Sequence, residues 1–300
     1  PSRGKRAKII KRMFRAAAGY LQIRADYSAH EVKMWALSAE DEALIKSFAE
    51  GLALRQALIV AEASERPKIF EALKKRGDVH IQNVFRIFKQ WVDKSHVLRD
   101  TVKGMIFGAI YGLGLLSMAA SLRLNKIRAA EQDKQRVEEK LEASGLSGTD
   151  KRACQAAIAE YEKQIEELRV QEPLEFKDEA DEILKKMWTS FKSGKEYLDK
   201  VALQVQKRGF VNAWTGRKRN MYRVLTGNRG YLSSAERSAK NAPIQGIASE
   251  LGLKAAYLVL MEFDKTRRER KLNPKFPLYT RMVHDANYFG FNNGHWINIY

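Results

Sequence analysis

The sequence contains a single cysteine, Cys154, among its 300 residues. One thiol excludes internal disulfide bonds and a cysteine-based zinc site, which is typical of proteins that work in a reducing compartment. Long apolar segments are also lacking, because we find no run of the length that a bilayer requires and no signal-peptide pattern at the first residues. We therefore expect a soluble, cytoplasmic protein that does not bind a membrane.

Acidic residues are few relative to basic ones. The sequence has 54 lysines and arginines against 36 aspartates and glutamates, which gives a net charge of +18. The excess is not confined to one tail, because basic clusters occur at 3–15, 217–229 and 267–271. Positive charge spread in this way indicates a long polyanionic ligand, most simply a nucleic acid.

Hydrophobic periodicity and turn residues predict an α+β fold with many helices and few strands. A strand is predicted over 19–27, ending at Asp26, and a strand, turn and strand over 278–292. A two-stranded turn is predicted over 208–219. Helices are predicted over 29–62, 66–76, 97–116, 178–208 and 233–263. The last of these is expected to be bent or interrupted near Pro243.

The most charged stretch, 121–170, is broken by "SGLSGTD" at 144–150 into two segments rich in Glu, Lys, Gln and Ala. This composition is typical of a solvated antiparallel helical hairpin. A partner-binding arm is the alternative interpretation of the same pattern.

Two aspartates, Asp26 and Asp285, each lie at the end or turn of a predicted strand, about 260 residues apart in the sequence. If the two strands are neighbours, the carboxylates converge and offer the oxygen ligands that Mg²⁺ prefers. Two metals held in this way stabilise the attacking and leaving oxygens of a phosphoryl transfer. The alternative is that Asp285 is a turn residue, because Asp and Asn side chains bond their own backbone in turns.

The segment "RDTVKGMIFGAIYG", residues 99–112, carries cations and aromatics at a four-residue spacing. On a helix they form one slowly turning stripe about 18 Å long, which consists of Arg99, Lys103, Phe107 and Tyr111. Two cations suit a triphosphate and two aromatics suit a sugar and a base, so the stripe matches a nucleoside triphosphate. Three glycines at the same spacing would let another backbone or a duplex come close. The alternative is a basic and aromatic face packed on a neighbouring helix.

A third polar pattern lies in "ERSAKNAPIQG", residues 236–246. Arg237, Asn241 and Gln245 again recur every four residues. Such side chains can read the hydrogen-bond acceptors of the DNA minor groove, which base pairs present almost degenerately. The alternative is an N-capped helix with a polar face.

Together these segments resemble the polymerase domain of the family A DNA polymerases, the bacterial polymerase I type and its phage-encoded relatives. "ADYSAHEVKMWALS" (25–38) resembles motif A, "RDTVKGMIFGAIYG" resembles motif B, and "MVHDANYF" (282–289) resembles motif C. Three further blocks match the family, namely "GDVHIQNVFRIF" (77–88), "KRGFVNAWTGRKR" (207–219) and "AERSAKNAPIQGIASEL" (235–251). Six blocks in the family's order make a specific match, and the lengths of 45–76 and 121–175, which exceed the family core, indicate a divergent, phage-like member.

The resemblance implies roles for individual residues. Asp26 and Asp285 would bind two Mg²⁺ ions, for which Mn²⁺ can substitute, with the backbone carbonyl of Tyr27 as a further ligand. Lys103 matches the proton donor to the leaving pyrophosphate. Contacts to the incoming dNTP are implied for Tyr27, Glu31 (the steric gate that excludes a ribose 2′-hydroxyl), His80, Arg99, Lys103, Phe107 and Tyr111. Contacts to the DNA primer and template are implied for Arg237, Asn241, Gln245 and His284.

The implied activity is that of a DNA-directed DNA polymerase in replication, in which the primer 3′-hydroxyl attacks the α-phosphate of a dNTP by two-metal nucleotidyl transfer. The implied architecture is a polymerase palm, an antiparallel sheet with helices, and a helical fingers subdomain. We expect palm at 1–44 with motif A and at 209–300 with motif C, and fingers at 45–208 that include a charged helical hairpin near 121–175. Thumb and exonuclease domains are expected upstream or on a separate subunit.

The sequence departs from the family pattern in motifs A and C. Ala29 and His30 replace the usual Gln and Ile, Ala286 replaces the usual acidic residue after His-Asp, and 45–76 and 121–175 exceed the family core. A single-subunit RNA polymerase-like enzyme is one alternative, which Ala286 favours and Glu31 opposes. A non-catalytic palm-fold subunit that binds nucleic acid is the other, although it would be expected to lose the carboxylates or the phosphate-binding cations.

Overall fold

The computed structural model describes residues 20–142, 147–271, 278–283 and 286–292. Two 3₁₀ segments, Pro173–Phe176 and Tyr222–Thr226, accompany the main elements. In chain order these are β1 (Tyr20–Asp26), α1 (His30–Ser38), α2 (Glu42–Val60), α3 (Arg66–Arg76), α4 (Val79–Phe88), α5 (Val97–Ile110), α6 (Leu115–Glu142), α7 (Gly148–Val170), α8 (Lys177–Ser190), α9 (Lys192–Arg208), β2 (Phe210–Asn212), β3 (Lys218–Asn220), α10 (Arg229–Glu269), β4 (Leu278–Val283) and β5 (Ala286–Asn292). The predicted α+β class is confirmed.

Three strands form an antiparallel sheet in the order β1-β5-β4. Its central strand, β5, starts at Ala286, which is paired with Asp26 on one side and with Val283 on the other. The two ends of the chain thus meet in one sheet. Strands β2 and β3 form a separate antiparallel pair.

The chain divides into two compact units, Pro1–Met34 with Ile244–Tyr300, and Trp35–Pro243. The first contains the three-stranded sheet, and the second contains α2 to α9 with the β2–β3 pair. The boundaries expected from the sequence, at 44/45 and 208/209, concern functional subdomains and stay predictions.

Local signals set the ends of α3 and α4. Pro67 lies in the first turn of α3, where a missing backbone N–H is tolerated, and Gly77 follows the last residue, so the helix matches the predicted span. The carboxylate of Asp78 caps α4 by accepting from the backbone N–H groups of His80 and Ile81. The buried face of α4 includes Val79, Ile81, Val84 and Ile87.

A buried aromatic pair interrupts what the sequence predicted as one helix over 178–208. Phe191 separates α8 from α9 with φ −124° and ψ 53°, and its ring lies 5.7 Å from that of Trp35. The guanidinium of Arg86 lies 4.4 Å from the Phe191 ring centroid, and the indole N–H of Trp35 donates to the carbonyl of Gly194 at 3.3 Å. Both aromatic side chains are fully buried. Burial of the Phe191 ring therefore outweighs the local preference for an unbroken helix.

Helices α6 and α7 pack side by side as a charged antiparallel hairpin. Lys134 pairs with Glu162 at 2.6 Å, and Arg169 pairs with Glu131 at 3.1 Å. Helix α7 begins inside the predicted break, because the Ser147 hydroxyl accepts from the backbone N–H of Asp150 and caps it. The apolar contact beneath the charges consists of Ile127, Ala130, Tyr161, Ile165 and Leu168.

Helix α10 is continuous although Pro243 lies inside it, where the sequence predicted a bend or interruption. A proline in a helix interior costs about 3 kcal/mol. Ala239, Ile244 and Ile247, on either side of the proline, are fully buried, and their burial offsets that cost.

Among the helices in the described ranges, α10 is long and apolar enough to cross a membrane by length and composition alone. This differs from the expectation that the sequence has no apolar run of the length that a bilayer requires. Core helices of soluble proteins meet the same criterion of length and composition. The expected absence of membrane binding stays a prediction.

Candidate functional site

Asp26, one of the two expected metal ligands, lies at the end of β1, and its strand partner directly follows the other expected ligand in the sequence. Asp26 is the last residue of β1, its side chain is exposed, and it is paired with Ala286. Asp285, which precedes Ala286 in the chain, and His284 lie outside the described residues. Because neighbouring antiparallel strands lie about 5 Å apart, this register puts the backbone next to Asp285 beside Asp26.

The turn after Asp26 has a strained backbone. Ala29 adopts a left-handed conformation with φ 51°, which costs a non-glycine residue roughly 1 kcal/mol. Its carbonyl accepts the first helical hydrogen bond of α1, from Lys33 N at 3.0 Å. The rings of Tyr27 and His30 stack with centroids 4.3 Å apart, and Glu31, in the first turn of α1, is buried. Asp26, Tyr27 and Glu31 therefore lie close together in the chain, from the end of β1 to the first turn of α1.

Helix α5 carries the predicted stripe of cations and aromatics. The rings of Phe107 and Tyr111 lie 6.1 Å apart in a stacked arrangement. Lys103 is exposed, whereas Arg99 is largely buried. The helix ends at Ile110, earlier than the predicted end near residue 116, and Tyr111 is its C-cap.

One carboxylate, that of Asp78, joins α4 to α5. Its Oδ1 accepts from the backbone N–H groups of His80 at 2.9 Å and Ile81 at 3.3 Å. Its Oδ2 accepts from Arg99, from Nη2 at 2.6 Å and from Nε at 3.1 Å. Burial acts to raise the pKa of Asp78, but the hydrogen bond and charge of Arg99 outweigh it and lower that pKa. Asp100 is a second, more exposed partner of Arg99, at 3.0 Å.

His80 lies beside the stripe as a buried, neutral imidazole. Burial lowers the pKa of His80 to about 4, with the Asp78 charge opposing the shift and the charges of Lys103 and Arg99 adding to it. Its ring centroid lies 6.0 Å from that of Phe107. The Nδ1 atom is buried and has no hydrogen-bond partner within the described part of the chain. A neutral imidazole here can donate one N–H without adding charge.

Gly108 in α5 lies against a neighbouring side chain, and Gly112, just after the helix, lies against the side chain and backbone of another helix. A Cβ at Gly108 would lie 3.0 Å from Leu113 Cδ1. Gly112, which has φ +67°, lies so close to α10 that a Cβ there would be 3.0 Å from Arg237 Cγ. The expected close approach is therefore made at Gly112, and it is made by Arg237.

The predicted groove-reading residues lie on α10. Arg237 is exposed and donates to the Ser233 hydroxyl at 3.0 Å. The Oδ1 of Asn241 is buried and has no partner among the described residues. Gln245 is exposed. A four-residue step on a continuous helix places side chains on the same face, so the helical geometry agrees with the predicted polar face.

The donor set at the sheet suits a hard divalent cation. Among the described residues, no group of three or more His, Cys, Asp or Glu side chains could hold a metal ion. The described candidates at the sheet are the Asp26 carboxylate and the Tyr27 carbonyl, and the third candidate from the sequence, Asp285, lies outside the described residues; all three are oxygen donors. Mg²⁺ needs only one or two carboxylates together with water and substrate phosphates. These residues therefore fit Mg²⁺ and do not fit a metal that prefers nitrogen or sulfur ligands.

The sequence analysis assigned no role to Asp78. A signal was present, because an aspartate follows Gly77 directly before an apolar helical segment, which is the pattern of an N-cap. The ion pair with Arg99, 21 residues further on, had no such signal, since it depends on how α4 and α5 pack.

Comparisons with known proteins agree with these observations. The family model for DNA polymerase family A matches residues 1–139 and 161–296. The DNA polymerase I of Caldicellulosiruptor bescii is 23% identical over 279 residues, which cover 93% of this chain and 23% of the relative. The DNA polymerase I of Geobacillus stearothermophilus is 23% identical over 89% of this chain and 21% of its own length.

A solved structure described as the POL domain of Pol1 from M. smegmatis in complex with DNA primer-template and dNTP is also similar. It has a TM-score of 0.60 and 23% identity and covers 98% of this chain and 38% of its own. At this identity the likeness shows the fold. The chain spans less than a quarter of the length of the two curated relatives.

Proposed function

This chain belongs to the family A DNA polymerases, and on that premise we propose that it extends a DNA primer with dNTPs under the direction of a template strand. The observation that supports the proposal most directly is the pairing of Asp26 with Ala286. In this register, strands near the beginning and the end of the sequence are neighbours. Ala286, the residue paired with Asp26, directly follows Asp285 in the sequence.

In the proposed reaction, the primer 3′-hydroxyl attacks the α-phosphate of the dNTP. Asp26, Asp285 and the Tyr27 carbonyl would hold two Mg²⁺ ions, which when bound would stabilise charge on the attacking and leaving oxygens. Arg99 and Lys103 bind the triphosphate, and Lys103 donates a proton to the leaving pyrophosphate.

Neighbouring side chains orient the nucleotide. His80, held neutral by burial, donates a hydrogen bond to a phosphate oxygen and adds no positive charge that would repel Lys103. Phe107 contacts the sugar and base, and Tyr111 lies at the template side of the new pair. Glu31 excludes a ribose 2′-hydroxyl.

The DNA contacts of the proposal lie on α10 and in motif C. Arg237, Asn241, Gln245 and His284 contact the minor groove and the primer end. The functional division that we propose is palm at 1–44 and 209–300 and fingers at 45–208, with the α6–α7 hairpin as an insertion in the fingers. We propose that the chain acts in DNA replication in the cytoplasm, which is the host cytoplasm if the gene belongs to a phage. Thumb and exonuclease domains would be supplied by the same precursor or by a separate subunit.

Primer extension by the intact protein tests this function. Asp26→Asn and Asp285→Asn should each abolish extension while binding of the primer-template is retained, because an amide cannot replace an anionic metal ligand. Asp199→Asn, which removes an exposed carboxylate on α9 that pairs with Lys195, is the matched control and should extend normally. Equal extension by Asp285→Asn and the wild type would refute the metal-binding role.

Family membership favours this activity over the RNA polymerase alternative. The non-catalytic alternative predicts binding of primer-template without extension by any variant, and the same assay distinguishes it.

A further inference from the structure

The β2–β3 pair and the segments beside it form a surface that the proposed reaction does not use. We define the basic hairpin surface as the exposed residues of 207–231. This stretch has seven lysines and arginines and no aspartate or glutamate, and all seven are exposed. They are Lys207, Arg208, Arg217, Lys218, Arg219, Arg223 and Arg229.

Two of these cations face aromatic rings. Lys218 Nζ lies 3.8 Å from the Phe210 ring centroid and 6.0 Å from that of Tyr222. The guanidinium of Arg223 lies 5.9 Å from the Tyr231 ring. In the described part of the chain, no carboxylate forms an ion pair with Lys218 or Arg223. Their positive charge is therefore available to an external anion.

Three aromatic side chains on the same surface are open to solvent. Trp214 is 62% exposed, Tyr222 is 52% exposed and Tyr231 is 47% exposed. Apolar side chains exposed together on one surface often mark an interaction site. Exposed aromatic rings beside a line of cations are what single-stranded nucleic acid requires, because bases stack on the rings while phosphates contact the cations.

The surface is held on a rigid support. Trp214 lies at the tip of the strand pair, where Ala213 N donates to Arg217 O at 2.8 Å and closes the loop. Val211 of β2 belongs to a buried cluster with Val201 and Val205 of α9. A platform that is already ordered loses little conformational entropy when it binds a ligand.

Helix α10 connects this surface to the end of α5. Tyr231 is in the first turn of α10, and Arg237 follows six residues later, about 9 Å along the helix axis. Arg237 contacts Gly112, next to Tyr111, the residue at the proposed template side of the nascent base pair. One edge of the basic hairpin surface, at Tyr231, therefore lies on the helix whose Arg237 approaches the residue next to the proposed template contact.

We propose that the basic hairpin surface binds the single-stranded template ahead of the nascent base pair, with Trp214 stacking on a base and Lys218, Arg219 and Arg223 contacting phosphates. The identity of the strand as template rests on the proposed polymerase function. A duplex is a poorer ligand, because its bases are already stacked on one another.

The test compares two labelled DNA substrates bound to the intact protein without dNTP or divalent metal. One is a primer-template with a single-stranded 5′ template overhang, and the other is the same duplex with blunt ends. The wild type should bind the overhang substrate more tightly. Trp214→Ala should weaken that binding by about 5- to 100-fold and leave blunt-duplex binding unchanged, and Trp214→Phe should restore most of the loss.

Charge variants test the phosphate contacts. The double variant Lys218→Gln with Arg219→Gln should reduce the slope of log affinity against log salt by about 1.4 on the overhang substrate. Matched controls are Tyr257→Ala, an aromatic on α10 that is 60% exposed, and Lys192→Gln, an exposed lysine on α9. Neither control should change the preference for the overhang.

The outcomes separate this inference from the proposed function. Equal affinity of the wild type for both substrates, or no effect of Trp214→Ala, overturns the inference even if the protein extends primers. Preference for the overhang in a protein that cannot extend a primer supports the surface and refutes the polymerase activity. If an acidic peptide competes for the surface and the overhang does not, the ligand is a protein and the inference is wrong.

Discussion

Replacing Asp78 should separate two contributions that one carboxylate makes to stability. Asp78→Asn keeps a side-chain oxygen that can cap α4, because Asn and Asp are equally good N-caps, but it removes the negative charge that faces Arg99. Asp78→Ala removes both. The order of stability should therefore be wild type, then Asp78→Asn, then Asp78→Ala.

The structure sets the magnitudes. The side chains of Arg99 and Asp78 are only 13% and 19% exposed, and a hydrogen bond to a charged group contributes about 1.5–3 kcal/mol. Asp78→Asn should lower the free energy of unfolding by that amount, and loss of the cap in Asp78→Ala should add about 1 kcal/mol. Asp100→Asn is the control, since Asp100 is 57% exposed and such pairs contribute about 0–1 kcal/mol.

Urea unfolding followed by circular dichroism measures these differences. The folded-state pKa of Asp78 is lowered, so its ion pair stabilises the protein at pH values above the unfolded-state pKa and is lost as pH falls through the folded-state pKa. The difference between wild type and Asp78→Asn should therefore shrink in acid. If Asp78→Asn is as stable as wild type at pH 7, the ion pair contributes nothing. If it is as unstable as Asp78→Ala, the capping argument is wrong.

Three further changes have definite expected results. Burial holds the pKa of His80 near 4, well below the ordinary 6.5. The free energy of unfolding should therefore be highest above pH 6.5 and should fall by up to about 3 kcal/mol between pH 6.5 and 4, because only the unfolded state takes up the proton in that range. A His80→Gln variant whose stability depends on pH in the same way would contradict this. Gly194→Ala should lower the thermal midpoint by an amount equivalent to about 1–3 kcal/mol despite better helix propensity, because a Cβ there would overlap the buried Trp35 ring, whereas an unchanged midpoint would mean that the ring moves freely. Glu31→Ala should raise ribonucleotide incorporation in a primer-extension assay by at least about tenfold, equivalent to about 1.4 kcal/mol, and no gain would remove the steric-gate assignment.

Elements that depend on neighbouring residues were predictable from the sequence. Pro67 and Gly77 mark the ends of α3 because proline and glycine act on the backbone within one turn. The four-residue step from Arg99 to Tyr111 needs only helical geometry to form a stripe, and the ring distance between Phe107 and Tyr111 agrees with it.

Elements that depend on packing were predicted less well. The helix expected over 178–208 is broken at Phe191, where burial of an aromatic ring decides the backbone. Helix α10 continues through Pro243 for the same kind of reason, since buried apolar neighbours offset the cost of the proline. In both places a long-range contact outweighs a local preference of a few kcal/mol.

The sequence by itself determined the basic net charge of this protein, the composition of the stripe on α5 and the resemblance to the family A DNA polymerases, because charge, helical spacing and motif order are properties of the chain as written. Only the tertiary structure decided that Asp26 is paired with Ala286, that Arg99 is held by Asp78, and that His80 is buried and neutral. Those three facts depend on which strands and helices become neighbours, and residues far apart in sequence become neighbours only when burial of the core compensates the entropy of closing the long loops between them.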